Sequence, residues 1–246
     1  MQRPALITAA IIVLIAAGVW YFRSGGEPPV EEPTVAVEPL TSPLPVEEPR
    51  PALPGLDGSD DLLRSAAGML GLDAVLARAL EDADVMRRFV AVVEAVASGE
   101  SPGRHLSFLA PEEPFDAVYR NDAWHTDPGN YRRYDFVGEA LAGIDARAAV
   151  SAFRRVEPLA DTAYAELIGE ARRFEPRLRQ ALGVLLATPV VNNSPELVDA
   201  VGRLTYRDEA LEALSLPQKH LLRMGPQNVG RIQAKLRELL DHLAES

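Results

Sequence analysis

VMRRFVAVVEAVA, from Val85 to Ala97, is the stretch that decides the fold. Val85, Phe89, Val92, Val93 and Val96 recur at i, i+4, i+7, i+8 and i+11, the spacing of one buried helix face. Gly99 and Pro102 end the helix. Its apolar face needs partners, and the flanking sequence offers further helical periods rather than strands.

On the N-terminal side, Ser59 is placed to cap a helix carrying Asp60 and Asp61 in its first turn, with Leu62, Leu63, Ala66 and Leu70 inward and Gly71 as the stop. On the C-terminal side, residues 100 to 130 change character. Phe115, Ala117 and Tyr119 alternate and face Trp124 across the polar Arg120, Asn121 and Asp122, which predicts a short β-hairpin. Helices are then predicted over Tyr131–Gly143, Asp145–Val156 and Pro158–Ile168, the last with a proline in its first turn. Pro176 opens another, with Leu178, Leu182, Leu185 and Leu186 on one face. Ser194, Pro195 and Glu196 form a helix start signal, but Leu197 to Leu204 is short enough to be extended instead. Two tail helices, Ser215–Met224 and Pro226 to about Ala244, meet at Gly225. In the second, Val229, Ile232, Leu236, Leu239 and Leu243 form a seam too short for a coiled coil, which predicts core packing. Residues 57–246 thus read as one mainly α domain with a possible short hairpin.

What precedes the domain is of another kind. Pro4 to Phe22 is nineteen residues without a charge, flanked by Arg3 and Arg23. It reads as a transmembrane anchor over residues 4–22 behind a short stub at 1–3, with Trp20, Tyr21 and Phe22 forming an interfacial belt. A cleaved signal peptide, cut near Ala16 and Gly18, is the alternative. Arg3 and the amino terminus against a lone Arg23 bias the N-terminus inward, which puts the domain outside the cytoplasm. Residues 23–56 read as a disordered linker: Ser24 to Leu56 holds nine prolines, six glutamates and two copies of PVEEP.

Composition excludes more than it offers. The chain of 246 residues carries a net charge of −11 and no cysteine. Bulk affinity for nucleic acid is therefore not expected, and disulfides, thiolate metal sites and cysteine nucleophiles are absent. His105, His125, His220 and His242 are spaced too far apart for a helical metal pair. No HExxH, Gly-x-Ser-x-Gly or Walker lysine loop occurs, and Lys219 and Lys235 are the lysines. No cofactor is expected.

DPGNYRRYD, from Asp127 to Asp135, and LSLPQKHLLRMGPQNVGRIQAKLREL, from Leu214 to Leu239, resemble the bacterial domain-of-unknown-function family numbered 3014. The resemblance extends to LDGSDDLL at Leu56–Leu63 and RRFVAVVEAVASGESP at Arg87–Pro102. It implies a membrane-anchored protein with a proline-rich spacer, and assigns no catalytic or ligand residue.

The densest set of recognising side chains is Trp124, His125, Asp127, Tyr131, Arg132, Arg133 and Tyr134. Trp, Tyr and Arg concentrate in binding hot spots. The expectation is a protein-binding or scaffolding module of the bacterial envelope, anchored once in the inner membrane, with Trp124, His125, Arg132 and Arg133 as the interaction patch. Tyr131 and Tyr134, three apart, are expected inward and the two arginines outward. The alternative is an envelope hydrolase with an acid–base site around His125 and Asp127, although residues two apart often cap the next helix.

Overall fold

The computed structural model of the chain describes residues 53–68, 70–111, 115–200 and 204–245. The expected anchor, its aromatic end and the linker through residue 52 lie outside the described residues. Within them, no helix is long and apolar enough to cross a membrane. The described chain is mainly helical with a small antiparallel sheet.

The helices are α1 (Asp60–Gly68), α2 (Ala74–Ala77), α3 (Val85–Ala97), α4 (Gly129–Arg132), α5 (Asp135–Ala142), α6 (Ala146–Ile168), α7 (Glu175–Leu186), α8 (Glu209–Glu212), α9 (Leu216–Leu222) and α10 (Pro226–Glu245). The strands are β1 (Ala117–Arg120), β2 (Ala123–Thr126), β3 (Glu196–Asp199) and β4 (Leu204–Tyr206). One core runs from Leu56, a residue the linker was expected to include, to Leu243. In it α3 packs against α6 and α7, while α10 packs against α5, α6 and α7. Every residue of the expected α3 face is buried, as is the seam of α10 from Val229 to Leu243.

Phe174 fills the junction of α3, α6 and α7. Its ring meets Phe89 at 5.3 Å and Tyr164 at 5.6 Å, both edge to face, a favourable aromatic geometry. Nearby, Arg177 of α7 binds Glu94 of α3 through two nitrogens, and Ser98 accepts a further bond at 2.6 Å. The guanidinium holds the Glu94 carboxyl below the usual carboxylate range, against the opposing effect of burial.

Two helix starts are capped from elsewhere in the chain. Asp84 precedes α3 in a left-handed conformation and makes no side-chain cap. Asp60 of α1 replaces it, its two oxygens accepting from the Asp84 and Val85 amides at 3.0 Å each. In the same way Asp161 of α6 accepts from Phe174 N at 2.7 Å, ahead of α7. Ser59 does not act as the expected acceptor cap: its hydroxyl donates to Leu56 O at 2.7 Å.

Three expectations are corrected. Asp145–Val156 and Pro158–Ile168 are one helix, α6, with Pro158 inside it. A proline there forfeits one helical bond, but Val156, Leu159, Ala160, Ala163 and Tyr164 are all buried around it, and their burial holds the two halves in line. Tyr131–Gly143 is instead broken at Arg133 and Tyr134 into α4 and α5. Ser194 starts no helix, since its hydroxyl donates to Thr126 O and β3 follows.

The hairpin pairs as expected, with Tyr119 opposite Trp124 and their rings edge to face at 5.2 Å. Asn121 and Asp122 both take positive φ, the two-residue turn that matches strand twist. The hairpin is half of a sheet in the order β1-β2-β3-β4, all antiparallel, completed by β3 and β4. Leu197 and Tyr206 on its inner face pack with Leu211 and Leu222 in a second, smaller core.

Candidate functional site

Asp127, Asn130, Tyr131 and Asp135 each have a structural partner, and most partners are distant in sequence. Asp127 Oδ1 accepts from Gly129 N at 2.8 Å, the local turn that short-range reasoning anticipates. Buried Asn130 holds the backbone leading into β1: its Oδ1 accepts from Asp116 N at 2.9 Å, and its amide donates to the Asp116 and Asp127 carbonyls. Tyr131 packs on Gly225, where a Cβ would stand 2.3 Å from the ring. Burial raises the Tyr131 phenol above its usual pKa. Asp135 Oδ1 accepts at 2.9 Å from Asn228 Nδ2, which also donates to Tyr131 O at 3.2 Å and Met224 O at 3.1 Å. Asn228 is itself buried. The two stretches that carry the family resemblance are therefore bolted together in space.

Their junction opens into a cleft of about 520 Å³. The sheet supplies Thr126, Leu197, Leu204 and Tyr206, all on one face by register. The helical side supplies Arg133, Tyr134, His220 and Arg223. Burial pushes the Tyr206 phenol up to about 12, against the partial relief of a bond from the Arg223 guanidinium. Burial, then Arg223, holds the His220 imidazole below its usual pKa, and its Nε2 lies 3.0 Å from Ser101 Oγ.

At the rim of this cleft the hairpin presents an aromatic surface. Phe115, Val118, Tyr119 and Trp124 are exposed by 42%, 41%, 58% and 40%. The Arg133 guanidinium stacks between two rings, 5.8 Å from the centroid of Phe115 and 5.2 Å from that of Tyr134.

Of the four residues expected to form an interaction patch, Trp124 and Arg132 are exposed. Arg133 is half-buried by its stacking rather than turned outward. His125 is buried, on the opposite face of β2 from Trp124, with Nδ1 3.4 Å from Ser194 O. His125 and Asp127 thus bond to different groups, and no bond joins them as an acid–base pair among the described residues. No group of three or more metal-capable side chains occurs among the described residues.

Short-range reading missed His220, Arg223 and Tyr206. The spacing of His220 and Arg223, three apart on α9 and its end, was the available signal. Nothing local could place either beside Tyr134 or Tyr206.

Among curated proteins and among solved structures, nothing matches the chain. A family model does: it is described as "Protein of unknown function (DUF3014)", and it covers residues 85–240, from the first turn of α3 to the last turns of α10. The chain belongs to the DUF3014 family.

Proposed function

We propose that the protein is a binding module of the bacterial envelope, anchored in the inner membrane by residues 4–22 and displaced from it by a Pro/Glu-rich tether, with the helical domain in the periplasm. Support for the anchor and tether comes from sequence: a charge-free span of membrane length, then a segment too polar and proline-rich to build a core. A long tether suits a module that must meet a partner at variable distance.

The single observation that carries the binding role is the exposed aromatic hairpin. Tyr119 and Trp124 pair on one face of the hairpin with Phe115 just ahead of β1, an edge strand, while Val118 lies on the opposite face. Contiguous exposed apolar surface of this kind marks interaction sites, and an open strand edge can accept an extended segment by main-chain pairing. The partner is accordingly a protein that offers an extended stretch with apolar side chains to β1, while Arg132 flanks the contact.

A photo-crosslinking amino acid placed at Tyr119 in cells tests this, with the same group at exposed Arg237 of α10 as reference. The expected result is a discrete crosslinked product from Tyr119 that Trp124→Ala removes and that Arg237 never yields. Identical products from both positions, or none from Tyr119, overturn the reading. Periplasmic placement is tested separately by fusing alkaline phosphatase after Ser246; an inactive phosphatase overturns the orientation.

A further inference from the structure

Behind the cleft lies a second cavity of about 300 Å³, and Tyr134 and His220 stand in the walls of both. Its remaining walls are almost wholly hydrocarbon, with Leu106, Val137, Leu141, Leu221, Met224 and Ile232 among them. An engineered apolar cavity of only about 150 Å³ stays dry and takes benzene. A space about twice that size, walled mainly by aliphatic side chains with Tyr134, His220 and Ser107 at its polar points, therefore favours an apolar guest over much of its surface. The cleft in front has the opposite chemistry. Its described lining carries Arg133 and Arg223 and no carboxylate, in a chain of net charge −11; Glu212, behind the wall, accepts from Tyr206 N at 3.0 Å and is bonded by Lys219, so its charge is already matched by another cation. Cations collected in a partly closed cleft of an acidic protein focus a local positive potential. Arginine forks are matched to carboxylate and phosphate oxygens.

From this juxtaposition we infer that the protein binds a single-chain amphiphile with an anionic head, its carboxylate or phosphate seated on Arg223 and Arg133 and its alkyl chain in the cavity behind Tyr134 and His220. The two volumes, each at or above the lower bound of roughly 300 Å³ for small-molecule pockets, leave room for one chain and one head group. The chain passes between Tyr134 and His220, where the His220 ring is held by its contact with Ser101 Oγ at 3.0 Å. Phe115 borders the cleft, but Tyr119 and Trp124 line neither space, so the site stands whether or not they meet a protein.

Met224 lines the apolar cavity, whereas Met86 is buried in the core and lines neither space. The full-length chain, labelled at its methionine methyl groups and held in zwitterionic nanodiscs, is titrated with octanoate, octyl phosphate, octan-1-ol and acetate, with empty nanodiscs as reference. Octanoate or octyl phosphate is expected to move the Met224 methyl resonance saturably and leave Met86 in place; the tighter of the two identifies the head group. Arg223→Met should weaken that binding about tenfold or more without changing the response to octan-1-ol, and Leu106→Phe should weaken it by narrowing the cavity. An unchanged Met86 resonance certifies that each variant is folded. The inference is overturned if Met224 does not respond to either anion, if octan-1-ol binds as tightly as both, or if acetate competes as well as octanoate.

Discussion

Gly225 is where Tyr131 rests: a Cβ at position 225 would lie 2.3 Å from Tyr131 Cγ, and the backbone there has a φ of 84°. Two independent constraints thus require glycine at one position, close approach of a ring and a left-handed backbone. The contact joins the end of the α9 segment to α4 and so sets the position of Arg223 relative to Arg133, the two cations of the cleft.

Gly225→Ala is expected to destabilise by about 2–4 kcal/mol, combining a left-handed penalty with overpacking. Urea denaturation measures it. In a Tyr131→Ala background the added cost should shrink toward the backbone share alone, because the clash is gone. Equal costs in the two backgrounds would show that the ring contact plays no part.

Asp60 and Asp61 are neighbours with opposite prospects. Asp60→Ala removes the cap of α3 and should cost about 1–2 kcal/mol. Asp61, whose side chain is 97% exposed, should tolerate alanine within about 0.5 kcal/mol. Thermal unfolding of the two variants side by side decides whether the cap is provided across the chain.

Glu94 gives the domain a pH dependence of known sign. Its carboxyl is held low by Arg177 in the folded state, so the stabilisation it provides is fully present above the ordinary Glu pKa of about 4.3 and is lost as pH falls through the depressed folded value. Arg177→Met should therefore lower stability most at neutral pH, and the gap to the parent should narrow as the solution is acidified below about pH 4. A gap independent of pH, measured by urea denaturation at stepped pH, would mean that Arg177 acts through packing rather than charge.

Phe174→Ala should cost about 3–5 kcal/mol, since the ring is fully buried between Phe89 and Tyr164. Tyr134→Ala should cost less, because that side chain is half-buried and already borders two cavities. Reversal of this order in denaturant melts would place the mechanical centre of the domain at the cleft instead of at the α3–α6–α7 junction.

What the sequence determined by itself is whatever a short window enforces. Val85 to Val96 could be read as one buried face, Tyr119 as opposite Trp124 and Val229 to Leu243 as a packed seam, because periodicity and a two-residue turn are set by neighbours in the chain. Asp127 likewise caps two residues on. Tertiary structure decided everything that needs a partner far away. Pro158 stays inside a helix because buried residues on both sides outweigh one lost bond. Asp60 serves α3 rather than its own helix, and Glu196–Asp199 becomes a strand because the hairpin offers it an edge. The cleft belongs wholly to this second class: Arg133 and Arg223 are ordinary arginines in the sequence, and only the packing of Tyr131 on Gly225, with Asn228 tying Tyr131 to Asp135, makes them face one space.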